Sequence, residues 1–110
     1  AMGVTQCTKV RSFNVKAVTK ALEEMKTQTG VRVLITEEPC VLYARRQLKK
    51  AQPQVAEVAV QGPEAMRCLE QLACPAFYRE GDNLAVDATL CTGCMVCLQV
   101  APTAFKARKR

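Results

Sequence analysis

Three cysteines lie at two-residue intervals near the end of the 110-residue chain, in the sequence CTGCMVC at residues 91–97. Thiolates are soft ligands, and such close Cys-x-x-Cys spacing in a reducing compartment is typical of metal binding or redox chemistry. Three ligands at this spacing let one loop contact three corners of a [4Fe–4S] cubane. Gly93 would let the loop backbone approach the inorganic sulfides and direct N–H groups at them. A complete site needs a fourth cysteine from elsewhere.

Cys74, which precedes Pro75, is the predicted fourth ligand. In two-cluster ferredoxins, a Cys-x-x-Cys-x-x-Cys triplet is followed by a Cys-Pro whose cysteine binds the other cluster. By this rule, the cysteine of the Cys-Pro at 74–75 binds the same cluster as the downstream triplet. The sequence therefore predicts one 4Fe–4S cluster with the ligands Cys74, Cys91, Cys94 and Cys97.

A second cluster site is predicted to have been lost. Counting back from Cys68 at three-residue intervals gives Ala65 and Gly62, and the residue before Pro102 is Ala101. All three absent cysteines belong to the same cluster, which leaves Cys68 as a remnant and a candidate substitute ligand. A small apolar residue removes an oxidisable thiol and fills the space that a cluster would take.

Zinc is the alternative metal. A zinc site with four cysteine ligands usually combines two separate Cys-x-x-Cys pairs, whereas the triplet places three close ligands on one loop, which favours the cubane. The cysteines outside the predicted ligand set, Cys7, Cys40 and Cys68, are interpreted as small buried apolar residues. The chain contains no histidine, which excludes Ser-His and Cys-His catalysis, His-ligated zinc and Rieske-type ligation. No catalytic residue is predicted.

The composition indicates a small basic protein. Sixteen Lys and Arg residues against ten Asp and Glu give a net charge of +6, and KARKR at 106–110 is the densest basic cluster. Terminal charge runs are commonly solvated tails, and one phenylalanine beside this run is weak support for nucleic-acid binding. An odd cysteine count, no secretory leader and no long apolar run predict a cytoplasmic protein without a membrane segment.

Residues 4–51 are predicted to form a βαβ segment. The β-branched run at 4–10 predicts a strand, apolar residues at helical spacing from Val15 to Met25 predict a helix, and VRVLI at 31–35 predicts a short buried strand. Ser12 and Asn14 are candidate N-caps, and Gly30 is the expected helix stop. The two strands should lie parallel. Residues 1–3 are interpreted as an expression-tag remnant, which makes an excised piece of a longer protein the expectation.

Residues 52–110 are predicted to form a second domain, beginning after a linker-like RRQLKK stretch and a boundary near Ala51. VAEVAV at 55–60 alternates like a strand, and 62–73 should form a helix with Pro63 near its start. A hairpin is expected around 81–83, and TAFKA at 103–107 should form a last strand. The predicted fold class is α+β, with the βαβ segment followed by a small iron–sulfur domain.

Together these motifs resemble the C-terminal part of the large subunit of the indolepyruvate:ferredoxin oxidoreductase family. The resemblance rests on the order of strand, helix, VRVLI, EEPCVL, Cys-x5-Cys-Pro and Cys-x-x-Cys-x-x-Cys, over about residues 4–107. It implies that 4–51 corresponds to the end of a thiamine-diphosphate-enzyme-like α/β domain and 52–110 to a bacterial-ferredoxin-like module. Gly62, Ala65 and Ala101 depart from the two-cluster pattern of that family.

The resemblance implies an electron-transfer role in a 2-oxoacid oxidoreductase. Such an enzyme decarboxylates an aryl pyruvate on thiamine diphosphate, transfers the acyl group to coenzyme A and passes single electrons through iron–sulfur clusters to ferredoxin. No residue here matches thiamine diphosphate or Mg²⁺ ligands, so the chain alone is not expected to be catalytic. Expected partners are the rest of the parent enzyme, its second subunit and ferredoxin or a similar acidic acceptor.

A second hypothesis for the function is a docking domain with a structural role. In that case a redox-inactive cubane or a zinc ion would hold a small domain together, because a core built from Val, Ala and Leu is modest in a chain of this size. The basic run at 106–110 would then contact nucleic acid or a protein partner. Metal analysis and a redox titration distinguish the two hypotheses.

Overall fold

The chain folds into two compact units, residues 1–39 and 40–110. The structure is a computed structural model that describes residues 3–41, 43 and 54–109. The linker-like RRQLKK stretch and the boundary predicted near residue 51 lie outside the described residues. Within the described part, no helix is both long and apolar enough to cross a membrane.

The first unit is a βαβ motif, as predicted. Strand β1 (Gln6–Arg11) and strand β2 (Arg32–Glu37) flank helix α1 (Val15–Lys26). The two strands pair in parallel, with Gln6 opposite Arg32 and Arg11 opposite Glu37. Helix α1 packs on both strands and buries Ala21 and Met25.

The ends of α1 are fixed by side-chain hydrogen bonds. Of the two candidate N-caps, Asn14 is the one used, because its side chain accepts a hydrogen bond of 3.0 Å from the Ala17 N–H. The helix ends at Thr27 rather than at Gly30, so the predicted stop lies too far along the chain. Arg32 donates to the carbonyls of Met25 and Gln28 at 2.6 and 2.7 Å, which satisfies one carbonyl in the last turn of α1 and one just beyond the helix.

The prediction that the VRVLI segment is buried is wrong. Only Val33 and Leu34 are half-buried in β2, and Ile35 is 45% exposed. The reason is geometric: a two-stranded sheet with one helix covers few residues of each strand, whereas parallel strands with apolar runs are usually covered on both faces.

Within residues 54–109, the second unit contains two antiparallel strand pairs and two helices, in the order strand, helix, strand, strand, helix, strand. Strand β3 (Gln54–Val58) pairs with β6 (Phe105–Lys109), and β4 (Phe77–Glu80) forms the predicted hairpin with β5 (Asn83–Val86). Helix α2 (Pro63–Leu72) has Pro63 at its first turn, as expected, and α3 (Val96–Val100) follows the cysteine triplet. This mixture of helices and small sheets is compatible with the α+β class.

The two halves of this unit repeat a local pattern. Each half has a helix followed by a proline-containing turn and a strand that starts with phenylalanine: Cys74-Pro75-Ala76-Phe77 in one, and Ala101 to Phe105 in the other. The rings of Phe77 and Phe105 stack with their centroids 5.5 Å apart. This contact joins the two halves.

The basic residues at 106–109 are part of a strand rather than of a solvated tail. Lys106, Arg108 and Lys109 belong to β6, although their side chains are exposed. Strand pairing with β3 accounts for this, because β3 supplies backbone partners along the whole of β6.

Gln61 ties the β3–α2 connection to strand β5. Its side-chain amide donates to the Leu84 carbonyl at 2.8 Å and accepts from the Leu84 N–H at 3.1 Å. We expect Gln61→Ala to lower the free energy of unfolding by about 1–3 kcal/mol, because two partly buried backbone groups lose their partners. Urea denaturation measures this, with Gln71→Ala, an exposed glutamine of α2, as the matched control. Equal stability of the two variants would contradict this role for Gln61.

Candidate metal centre

The loop that carries the cysteine triplet begins in a hydrogen-bonded turn. Asp87 accepts hydrogen bonds from the Thr89 N–H and hydroxyl at 2.7 and 2.6 Å, and its own carbonyl accepts from the Cys91 N–H at 2.9 Å. The hydrogen bonds from Thr89 lower the pKa of the Asp87 carboxyl. This Asx turn ends β5 and directs the chain into the triplet.

Two residues with left-handed backbone conformations shape the loop. Gly93 has a φ angle of +74° and Met95 a φ angle of +59°, so the chain reverses between Cys91 and the start of α3 at Val96. Glycine adopts this conformation without strain, whereas Met95 does so at some energetic cost. Cys97 follows in the first turn of α3, and its carbonyl accepts from the Ala101 N–H at 2.9 Å.

Cys74 reaches the same region from α2. The helix ends at Ala73, which has a left-handed φ of +43°, and the chain then turns so that the Phe77 N–H donates to the Cys74 carbonyl at 3.0 Å. Pro75 occupies the turn, where its lack of an N–H leaves no donor unsatisfied.

All four predicted ligands line one cavity of about 280 Å³: Cys74, Cys91, Cys94 and Cys97. The rest of the lining is mainly apolar and comes from all parts of the unit, including Ala56, Leu72, Phe77, Leu90 and Val96. Cys91 and Cys97 are buried, with 8% and 7% exposure, whereas Cys74 and Cys94 are half-buried. The fold therefore brings together two segments that are separated by the β4–β5 hairpin.

The Cys97 thiol is influenced by the other three cysteines. Its pKa is raised to about 11, mainly by burial, and Cys94, Cys91 and Cys74 contribute to this rise. The Ala56 N–H donates to the Cys91 sulfur at 3.5 Å. Such a backbone donor stabilises a thiolate and orients it.

The donor set suits a cluster that fills a cavity. Within residues 3–41, 43 and 54–109, no group of three or more His, Cys, Asp or Glu side chains is arranged to hold a metal ion. Four thiols around an apolar space are the donor chemistry that iron–sulfur clusters require, and a cubane of four irons and four sulfides occupies a volume rather than a point. The four cysteines are not arranged around a single metal ion, but their donor chemistry and the apolar cavity that they line fit a cluster.

Curated proteins with similar sequences come from archaea and share one name. The chain is 30% identical over 94 residues to the indolepyruvate oxidoreductase subunit IorA of Archaeoglobus fulgidus, which covers 84% of the chain. It is 31% identical to IorA of Methanothermobacter thermautotrophicus over 93% of the chain and 32% identical to IorA of Thermococcus kodakarensis over 99%.

The chain is homologous to one part of IorA. It spans 15%, 16% and 18% of the length of these three relatives, so it corresponds to about one sixth of an IorA subunit. No protein-family model matches the chain, and no solved structure gives a significant match.

In this IorA homologue, the residues predicted to mark a lost second cluster lie in or beside the core. Ala65, Cys68 and Ala101 have 0%, 1% and 1% exposure and belong to the same buried cluster as Cys91 and Cys97. Gly62 is half-buried and caps α2 with a φ angle of +144°. A hydrogen bond from the Thr103 hydroxyl to the Glu64 carboxylate joins the start of α2 to the turn after Ala101.

The cysteines outside the cavity differ in their environments. The expected burial of Cys68 is confirmed, and burial raises the pKa of its thiol, with a further contribution from Glu64. The expectation for Cys7 and Cys40 is wrong, because both are exposed. Cys7 lies on β1, where the small sheet leaves most side chains uncovered, and Cys40 follows the last residue of the first unit.

Sequence reasoning missed the Ala56 N–H as a partner of the site. Ala56 lies on β3, 35 residues before the sulfur that it contacts, and the alternating VAEVAV pattern predicts only a strand. It also missed Leu72 and Phe77 as parts of the cavity wall. No local signal in the sequence could have indicated these contacts.

Replacing Gly93 tests the importance of the left-handed loop. We expect Gly93→Ala to reduce the iron retained per chain, because a Cβ atom costs about 1–2 kcal/mol in this conformation and shifts the loop that holds three cysteines. Gly30→Ala is the matched control, since Gly30 has a φ angle of +85° in the other unit. Iron analysis after gel filtration measures the effect; equal iron content in the two variants would contradict it.

Thiol labelling tests the cysteine environments. In the native metal-free protein, we expect iodoacetamide to modify Cys7 and Cys40 rapidly and Cys68 much more slowly, because Cys68 is buried and its raised pKa leaves less thiolate. Mass spectrometry of peptides at successive times measures the three rates. The denatured protein is the control, in which all three should react alike. Rapid native labelling of Cys68 would be inconsistent with the packing of the core.

Proposed function

We propose that this chain is an electron-transfer module that holds one 4Fe–4S cluster through Cys74, Cys91, Cys94 and Cys97. The observation that carries the proposal is that the four cysteines selected from the sequence, by the triplet spacing and the Cys-Pro rule, line the same cavity. When bound there, such a cluster would supply reversible storage of one electron. The corresponding fold assignment, a bacterial-ferredoxin-like module, is part of the proposal and is supported by the repeated half-pattern of the second unit.

The residues of the chain have distinct parts in this proposal. The four thiolates hold the irons, and the Ala56 N–H donates to the Cys91 sulfur. Apolar side chains such as Leu72, Phe77 and Val96 limit water around the cavity, which protects a cluster from hydrolysis and oxidation. Cys74 and Cys94 are half-buried, so their side of the cavity is more exposed to solvent than the side formed by the buried Cys91 and Cys97.

The lost second site supports a single cluster rather than two. Ala65 and Ala101 are fully packed in the core, so they leave no space at the positions where two of the missing ligands would lie. Cys68 alone cannot hold a cluster. We therefore propose a one-cluster module in which Cys68 is a core residue.

The IorA relatives suggest the enzyme in which this module works. We propose that it serves a 2-oxoacid oxidoreductase of the indolepyruvate type, in which electrons from a thiamine diphosphate site reach ferredoxin through the cluster. Thiamine diphosphate and Mg²⁺ would bind to other parts of that enzyme. The remaining proposed features are association with the rest of the parent enzyme and its second subunit, and a cytoplasmic location.

Metal and sulfide analysis tests the cluster. In anaerobically reconstituted protein, we expect about four irons and four acid-labile sulfides per chain. Cys74→Ser should lose most of both, because one corner of the cubane loses its thiolate. Cys68→Ser is the matched control and should retain both, although its stability should fall since Cys68 is buried.

Three results would contradict the ligand assignment: zinc without sulfide, about eight irons per chain, or a cluster that depends on Cys68 but not on Cys74. A redox titration followed by electron paramagnetic resonance then separates electron transfer from a structural role. Reversible one-electron reduction supports the module, and a cluster that cannot be reduced supports the docking-domain hypothesis.

A further inference from the structure

Strand β6 presents a concentrated positive charge. We call its three exposed basic residues, Lys106, Arg108 and Lys109, the basic strand surface; Lys106 and Arg108 share one face of the strand, and Lys109 lies on the other face at its end. The Lys106 ammonium lies 3.4 Å from the Glu57 carboxylate, and both side chains remain well exposed, so this pair is weak. Among the described residues, Arg108 and Lys109 have no ion-pair partner.

This concentration is local and does not reflect the charge of the surrounding unit. Residues 54–109 contain five basic and six acidic side chains, a net charge of −1. Three of the five basic residues lie on β6, and none of the acidic ones does. The positive charge is therefore placed on one strand of an otherwise slightly acidic unit.

The basic strand surface lies next to the candidate metal centre. In the β3–β6 register, Ala107 is opposite Ala56, which lines the cavity and donates its N–H to the Cys91 sulfur. Paired strands are about 5 Å apart, so β6 is one strand spacing from a backbone group that touches a predicted ligand. Within the described residues, β6 pairs only with β3, which leaves its other edge open.

We propose that the basic strand surface is the docking site for an acidic electron-carrier protein. The inference rests on the proposed function, because it requires a redox cluster in the adjacent cavity. One electron leaves the reduced chain and reduces the oxidised carrier, with no bond formed and no proton transferred. Opposite charges steer the carrier to the strand that pairs with the cavity-lining strand β3 and accelerate the encounter.

Two different roles for the same charges would lead to different results. Lysines on an open edge strand prevent pairing with another chain, in which case their removal causes self-association but leaves electron transfer unchanged. A nucleic-acid surface would instead bind an RNA oligonucleotide and lose that binding when the charges are removed. The described part of β6 offers the phenylalanine Phe105 only as a buried ring, which gives bases no stacking surface.

The test compares a variant that lacks the charges of the basic strand surface with a control variant that loses three positive charges elsewhere. The variant Lys106→Gln/Arg108→Gln/Lys109→Gln is prepared beside the control Lys16→Gln/Lys20→Gln/Lys26→Gln, which removes three exposed charges from α1. The binding of each oxidised protein to an acidic ferredoxin is measured by calorimetry at low and high salt. Stopped-flow absorbance then gives the rate at which each reduced protein reduces that ferredoxin.

We expect the β6 variant to bind more weakly and to react about tenfold more slowly at low salt, with most of the difference lost at high salt. The α1 control should resemble the wild type, and the wild-type rate itself should fall as salt increases. Cytochrome c, a basic carrier, should react no more slowly with the β6 variant than with the wild type.

The proposal is overturned if the β6 variant keeps its cluster and reacts with ferredoxin as fast as the control, whether or not it self-associates or loses RNA binding. A wild-type rate that does not depend on salt overturns it too, without any variant. A chain that holds no reducible cluster contradicts the proposed function instead. In that case, calorimetry still measures whether ferredoxin binds to the basic strand surface. The two failures are therefore distinguishable.

Discussion

A tetrathiolate site can form here only if two separate segments of the chain hold their cysteines against one apolar cavity. One segment is the end of α2 with Cys74, and the other is the triplet loop from Cys91. Left-handed residues at the end of α2 and within the loop turn both segments toward the cavity. The stacked Phe77 and Phe105 rings and the β3–β6 pairing hold the halves together, so the centre depends on the packing of the whole unit.

The two halves of the second unit have similar elements, and together they form two sites with opposite interiors. At one site, Cys74 of the first half and Cys91, Cys94 and Cys97 of the second line a cavity. At the other, Ala65 of the first half and Ala101 of the second are packed with almost no exposure. Small side chains are effective here because a protein interior is stable only when its volume is filled. The hydrogen bond between Thr103 and Glu64 joins the two halves at the surface of this packed site. A cavity at one site and a filled interior at the other are what the proposal of one cluster requires.

The same burial that shapes the site also controls its thiols. A buried thiol resists ionisation because the thiolate would lose its solvation, which is why the pKa of Cys97 is raised to about 11. A bound cation reverses this preference, since metal ligation requires and stabilises the thiolate. Without a metal the Cys97 thiol therefore stays protonated at neutral pH, and a bound metal would favour its thiolate.

Local patterns in the sequence were enough to predict most elements. The βαβ unit, the start of α2 at Pro63 and the β4–β5 hairpin follow from periodicity and from turn residues, which act over a few neighbours. The cysteine motifs selected four residues that the fold brings to one cavity. This was possible because the ferredoxin pattern relates the Cys-Pro at 74–75 to the distant triplet at 91–97. Whether those four are ligands stays a prediction.

Other properties were decided by tertiary structure, since they depend on which distant segments meet. The sequence alone led to a wrong expectation of burial for Cys7, Cys40 and the second strand, because exposure is set by how much of a small sheet is covered. The Ala56 N–H finds the Cys91 sulfur only when β3 lies beside the triplet loop. For the same reason, pairing of β6 with β3 places Lys106, Arg108 and Lys109 on the strand beside β3, whose Ala56 lines the cavity.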